Sequence, residues 1–295
     1  MKLDLVSVII TTYGRDITML SQAIESVKNQ TYKNIELIII DDNGIGTDIQ
    51  KKNEKFLLSD KSIRYISNIK NSGAQFSRNI GILQATGEYI AFLDDDDIWM
   101  PDKIKKQVHL LKTNNLDMVF CNGFRFYDNN LNKRKLYQNY FITNEFITYN
   151  MQLQSDKIGS TSHPLIRKDC FARTGLFDLE MPARQDYEMW LRICKYYKVM
   201  GINETLFYYR YHEGDRITKS YKKELLSYQL LWKKYKSDYK KDDIARANIL
   251  FSLAITYFKM KKICKAIFFA SRALISNPNT IIKLINNHKN HKAQF

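Results

Sequence analysis

Short β-branched apolar runs alternate with longer amphipathic stretches through the first third of the chain. Residues 5–12, Leu-Val-Ser-Val-Ile-Ile-Thr-Thr, predict a strand buried on both faces. After a turn at Tyr13, Gly14 and Arg15, the residues Leu20, Ala23, Ile24 and Val27 repeat at helical spacing within 16–29. A second buried strand, 35–40, runs into Asp41, Asp42, Asn43 and Gly44, and a helix over 47–58 and a strand over 63–67 follow. Asn71-Ser72-Gly73 breaks the chain before a helix over 74–85, and a fourth strand starts at Tyr89. This β-α repetition predicts an α/β fold, a mostly parallel central sheet flanked by helices on right-handed crossovers.

Farther along, the pattern predicts a helix over 101–114 and a strand over 117–126. Residues 127–162 are irregular and rich in Asn, Tyr and Phe, as loops and short strands over a cleft would be. Tyr187, Trp190, Leu191 and Cys194 mark a helix over 184–197, and 206–211 alternates loosely as a strand. After the polar segment 212–220 the chain reads as wholly helical, with no Gly and one late Pro, Pro278. Leu250, Leu253, Ala254, Tyr257, Ala266, Ala270, Ala273 and Pro278 fit one tetratricopeptide-type unit. One unit cannot bury its own face, so a helical hairpin docked on a neighbour is expected rather than a peptide-binding array. The expected division is an α/β domain at 1–218 and an all-α extension at 219–295.

Charge sharpens that division. The chain carries 46 Lys and Arg against 31 Asp and Glu, and from Ser220 onward there are 16 basic residues against 4 acidic ones. The extension therefore suits an anionic partner, and an anionic membrane surface met through residues 220–295 is the expectation; no nucleic acid is expected. A hydrophobic fraction of 44% excludes global disorder. Met1 to Leu5 lacks the regions of a signal peptide, and no apolar run approaches a membrane span. Cys121, Cys170, Cys194 and Cys264 show no metal-site spacing and read as reduced thiols of a cytoplasmic protein.

The densest chemistry lies at residues 88–102, where the apolar run Tyr89 to Leu93 ends in Asp94, Asp95, Asp96 and Asp97. Four adjacent carboxylates raise one another's pKa unless a cation sits among them, and such oxygens suit Mg²⁺ or Mn²⁺ holding a diphosphate. Along extended chain Asp94 and Asp96 share a side while Asp95 points elsewhere. At the rim of an open α/β sheet, this is where ligands bind.

In order, Val8-Ile9-Ile10-Thr11-Thr12-Tyr13, the segment 22–31, Glu36 to Asp42, Asn71, Gly73, Arg78-Asn79, Gly87 to Asp97 and Gln185 to Arg192 resemble the family 2 glycosyltransferases of GT-A fold. The resemblance covers about the first 215 residues. It implies a nucleotide-sugar donor, UDP by default, and inversion at the anomeric carbon, with a glycan or lipid-linked oligosaccharide as acceptor. It implies a base pocket of Thr11, Tyr13 and Asp41, nucleotide or diphosphate contacts from Arg15 and Arg78, and Asp94 and Asp95 near the ribose and metal. Asp96 is then the main metal ligand, Asp97 a cap for the next helix, and Asp186 the general base. Gln185 departs from the two acidic residues usual at this point. Tyr209-Arg210-Tyr211-His212 resembles the motif that ends the domain, making Arg210 and His212 candidates for the diphosphate and His212 for the metal as well. Residues 159–164 are expected on the acceptor side, and the polar stretch after His212 as a lid over the donor. Work at the inner face of the cell membrane fits this set, and a homo-oligomer is left open.

Two alternatives use the same residues. Asp94-x-Asp96 after a strand also resembles a haloacid-dehalogenase-type phosphatase, although that family places the motif on its first strand and has Thr or Val where Ile98 stands. A non-catalytic nucleotide-binding or scaffold protein is the other. A dehydrogenase is disfavoured because no Gly-x-Gly-x-x-Gly follows the first strand.

Overall fold

A computed structural model describes residues 4–127, 130–137, 144–211 and 220–292, with side chains through 286. The first half alternates as the apolar pattern predicts: β1 (Val6–Thr12), α1 (Ile17–Lys28), β2 (Ile35–Asp41), α2 (Asp48–Leu57), β3 (Ile63–Ser67), α3 (Ala74–Gln84) and β4 (Tyr89–Asp94). Asp16 and Thr47 start the first two helices by accepting from Thr18 N and Gln50 N. Then come β5 (Ile98–Trp99), α4 (Lys103–Thr113), β6 (Met118–Tyr127), β7 (Asn130–Leu136), α5 (Tyr149–Gln154), β8 (Pro164–Arg167), α6 (Cys170–Thr174), α7 (Gln185–Tyr196) and β9 (Val199–Tyr211). Five helices complete the chain: α8 (Tyr221–Lys234), α9 (Lys236–Lys241), α10 (Asp243–Lys259), α11 (Ile263–Ser276) and α12 (Pro278–Lys292).

The strands form one sheet in the order β3-β2-β1-β4-β8-β6-β9-β5, with β7 on the side of β6. β1 to β4 pair in parallel, as the β-α repetition requires. The second half is mixed: β8 runs antiparallel to both β4 and β6, while β6 and β9 are parallel. The insertion of β8 beside β4 has a direct effect on the aspartates. With Ala91 opposite Leu165, residues 161–163 lie alongside the end of β4. The core under the sheet is built from Val8, Ile10, Leu20, Ile24, Ile39, Leu93, Trp99 and Phe207.

Helix α3 lies close on β1 because position 81 has no side chain. A Cβ on Gly81 would stand 2.4 Å from Ile9 Cγ2. Ala is the better helix former by about 1 kcal/mol, but forcing a methyl group into a packed core costs about 1–3 kcal/mol. Gly81→Ala is therefore expected to lower the midpoint of urea unfolding; an unchanged or raised midpoint would show that the two elements can separate freely.

The chain resolves into two compact units. One comprises residues 1–148, 158–179 and 192–213; the other comprises 149–157, 180–191 and 214–295. Two stretches before residue 219 thus group with the C-terminal helices, which a single cut at 218/219 does not provide. The reason is a shared core in which Leu153, Met181, Tyr187 and Leu191 join Tyr228, Leu231, Tyr235 and Leu250. The carboxylate of Glu188, fully buried there, accepts from Tyr235 Oη at 2.9 Å and from Lys234. In the same unit α10 and α11 pack as a hairpin, with Tyr257 and Phe269 stacked 5.4 Å apart. Of the tetratricopeptide-type positions, Leu250, Leu253, Ala254, Tyr257, Ala266 and Ala273 are buried. No helix among the described residues is long and apolar enough to cross a membrane.

Candidate active site

β1, β2 and β4 deliver their polar ends to one rim of the sheet. Thr11 is in register with Asp94, and Thr12 with Asp41. At the end of β4 the chain does not stay extended: Asp97 N donates to Asp94 O at 3.0 Å and closes a tight turn. The expected alternation of the aspartates is lost with it. Arg15 reaches Asp95 and Asp96 together, with Nε and Nη2 each 2.9 Å from a carboxylate oxygen, while Asp94 pairs with Arg78 at 2.9 Å.

The turn is braced by the segment before β8 and by β9. Thr161 Oγ1 donates to Asp94 at 2.9 Å, and Ser162 Oγ donates to Asp97 at 2.7 Å while accepting from Asp94 N at 3.1 Å. From β9, Arg210 N donates to Asp97, and Arg210 Nε donates to the backbone oxygen of Asp96 at 2.8 Å. The guanidinium of Arg210 is buried, lies over Phe126 and also donates to Gln22 at 2.6 Å. Asp97 is a fully buried anchor and not the cap of the next helix; β5 intervenes, and Asp102 occupies the cap position of α4.

Burial pushes the Asp97 carboxyl well above the ordinary range, and the charges of Asp96 and Asp94 add to the effect. Burial also pushes Asp95 up to about 6, against the pull of Arg15. The side chains of Asp94 and Asp96 keep 28% and 16% of their surface, against 7% for Asp95. The accessible pair therefore offers the hard oxygens that Mg²⁺ or Mn²⁺ takes, one or two carboxylates with water and diphosphate completing the shell. Among the described residues no group of three or more His, Cys, Asp or Glu is arranged to hold an ion.

Beside the turn, Tyr13 stands 60% exposed with its ring free to stack, and Gly14 N donates to Asn43 Oδ1. Asp41 is fully buried, and its two oxygens take donors from Asn43 N and Nδ2, Asn53 Nδ2 and Tyr65 Oη. A base edge could reach it only by displacing one of these, of which Asn43 and Tyr65 are half-buried and Asn53 is buried. Asp42 holds the loop before α3, accepting from Asn68, from Ser72 N and from Gly73 N at 2.8 Å. Gly73 has φ +92°, a conformation that side chains disfavour, and so lets its amide point at Asp42.

The structure thus brings together Thr11, Tyr13, Arg15, Asp41, Arg78, Asp94, Asp95, Asp96 and Arg210 in one unit. Asp186 belongs to the other unit, in the first turn of α7, where its carboxylate accepts from Tyr187 N at 2.8 Å. His212 lies outside the described residues. Sequence reading missed the bracing roles of Thr161, Ser162, Asp42 and Gln22. The Ser160-Thr161-Ser162 run ahead of an apolar strand was the available signal.

His163, next in that run, is buried with its ring edge-on to Phe207 at 4.4 Å. Burial lowers its pKa from 6.5 to about 3. The unfolded chain takes up a proton near 6.5 and the folded one does not, so stability falls as pH drops from about 6.5 towards 3. At pH 5 the loss from this residue is about 2 kcal/mol. Urea unfolding at pH 7.5 and pH 5 should show this extra loss in the native chain and not in His163→Gln; equal losses in both would contradict a neutral buried imidazole.

The fold has solved relatives. Staphylococcus aureus TarS, crystallised as residues 1–349 in complex with UDP-GlcNAc, superposes with a TM-score of 0.63 over 90% of both chains at 14% identity. The architecture is the GT-A glycosyltransferase fold with C-terminal helices. In sequence, residues 7–175 match the profile of Glycosyl transferase family 2, and the chain belongs to that family. Two similar Escherichia coli proteins are UDP-Glc:alpha-D-GlcNAc-diphosphoundecaprenol beta-1,3-glucosyltransferases. WfgD is 33% identical over 202 residues, 68% of this chain and 73% of its own; WfaP is 33% identical over 225 residues, 75% and 82%.

Proposed function

We propose that the protein is a metal-dependent, inverting glycosyltransferase that moves a sugar from a UDP-sugar to a hydroxyl of a lipid-linked saccharide, in surface polysaccharide synthesis. The accessible carboxylates Asp94 and Asp96, set beside Arg78 and Arg15 at the rim of the sheet, carry the donor half of this reading. The names of WfgD and WfaP, which act on a diphosphoundecaprenol-linked GlcNAc, support the acceptor half.

In this scheme Tyr13 stacks on the base and Thr11 and Asp41 lie along its edge. Asp94 and Asp96 would hold Mn²⁺ or Mg²⁺, which when bound neutralises the diphosphate and the charge that develops as it leaves. Arg15 and Arg78 act at the same place, and Arg210 keeps the aspartate turn in shape. Asp186 takes the proton of the acceptor hydroxyl as that oxygen bonds to the anomeric carbon. The bond from that carbon to the diphosphate oxygen breaks in the same displacement, and the nucleoside diphosphate departs with the electron pair. Attack from the face opposite the leaving group inverts the configuration.

The test is a panel of UDP-sugars with a short-chain GlcNAc-diphospholipid acceptor, the product linkage read by NMR. Transfer with inverted anomeric configuration is expected. Donor hydrolysis or transfer with retention would refute the proposed displacement, and no turnover of any nucleotide sugar would favour a binding protein.

A further inference from the structure

Helix α11 turns most of its large apolar side chains outward. Its packed side is made by the buried Ala266 and Ala273 and by Phe269, stacked on Tyr257. On its solvent side Ile275 is 83% exposed, Ile267 64%, Phe268 53%, Ile263 48% and Leu274 43%. Helical geometry sets Ile263, Ile267 and Leu274 in one row and Phe268 and Ile275 in the next, with only Cys264 and Ser271 between them. Phe258, also 64% exposed, stands at the end of α10 that leads into this helix. A continuous uncharged apolar face on a surface helix marks an interaction site.

Charge identifies what would cover it. Lys259, Lys261, Lys262 and Lys265 are exposed around the α10–α11 turn, and Arg272 is exposed along the margin of the face. Residues 244–295 contain nine Lys and Arg and not one Asp or Glu. A second copy of the same face would set cation against cation. An anionic bilayer meets both features at once, because apolar side chains enter the acyl boundary while ammonium and guanidinium groups stay among the phosphates.

We propose that α11, with the basic turn before it, is a docking face for anionic membrane. Its use would be to hold the protein where a lipid-linked acceptor lies, so the purpose rests on the proposed function while the binding itself does not.

Co-sedimentation of the full chain with vesicles tests this, comparing phosphatidylglycerol mixed into phosphatidylcholine with phosphatidylcholine alone, at low and high salt. Binding to the anionic vesicles is expected, at least about tenfold weaker on neutral ones and weakened by salt. The double variant Ile267→Ser, Ile275→Ser should bind at least about tenfold less, since each removed side chain gives up its burial in lipid. Its thermal unfolding and its transfer to a detergent-dispersed acceptor should match the native chain. Absence of vesicle binding, or undiminished binding by the double variant, overturns the proposal. So does a dimer in sedimentation velocity that the double variant dissociates, which would assign the face to a second copy. Loss of transfer to dispersed acceptor with vesicle binding intact would count against the activity alone.

Discussion

Asp186→Asn is expected to abolish sugar transfer, lowering turnover at least about a hundredfold, the range general base catalysis supplies. UDP affinity should stay within about twofold, because the residues assigned to the nucleotide lie on the other unit and keep their own partners. Asn preserves the size of the side chain and its acceptor for Tyr187 N, so the first turn of α7 persists. Single-turnover kinetics with saturating donor, alongside calorimetric titration of UDP, separates the two effects. Near-native turnover would remove Asp186 from the mechanism, and a parallel collapse in UDP affinity would recast it as a structural residue.

Arg15→Ala is expected to show the second large effect, on stability and with a definite pH dependence. Removing Arg15 leaves Asp95 buried without its cation and Asp96 beside it. Stranding one partner of a buried pair costs about 3–5 kcal/mol; Arg15 is partly exposed, so about 2–3 kcal/mol is expected. A carboxyl whose folded pKa is raised contributes stability below its unfolded value and loses it as pH rises. For Asp95 the loss runs from the ordinary carboxylate value of 3.8 to about 6. Without Arg15 the folded value moves higher still, so the deficit should be full at pH 8 and shrink by pH 5. Arg15→Lys restores a charge but not the two-pronged reach, and should recover part of the loss. A pH-independent deficit would mean that Arg15 acts by packing and not by pairing.

Much of this was legible in the sequence, for reasons that can be stated locally. β1, β2 and β4 are buried on both faces and read as unbroken apolar runs, and α1 between the first two carries an apolar stripe of Leu20, Ala23, Ile24 and Val27. The aspartates at the end of β4 were visible as chemistry because nothing in packing calls for four carboxylates after Leu93. The mixed half of the sheet was harder. β9 extends from Val199 to Tyr211, but bulges opposite Cys121, Asn122 and Gly123 and the polar pair Asn203 and Glu204 break its period of two. Its last six residues alternate loosely in sequence, and only those predict a strand. β8 is four residues long and begins with Pro164, too little for a periodic signal. Missing it hid the role of Thr161 and Ser162, which act on the aspartates only because β8 lies beside β4.

The site shows the same division between local and long-range information. That Arg15 and Arg78 serve the aspartates follows from residue type and strand ends. Which aspartate each one meets depended on a turn at Asp94–Asp97 that extended-chain geometry could not foresee. The sequence points Asp97 outward to the next helix, yet it is the most buried of the four, because Ser162 and Arg210 converge on it from segments far away in sequence. The grouping of residues 180–191 with the C-terminal helices likewise rests on Glu188, whose partners Lys234 and Tyr235 lie 46 and 47 residues downstream.

The central claim is that the rim of the sheet at Asp94 and Asp96 receives a nucleoside diphosphate together with a divalent cation. Calorimetric titration of UDP in Mn²⁺ and in EDTA, on the native chain and on Asp96→Ala, tests it most directly. Binding at least about tenfold tighter with Mn²⁺ is expected for the native chain, and no such gain for the variant. Equal affinity in Mn²⁺ and EDTA, or a gain that survives Asp96→Ala, would contradict it.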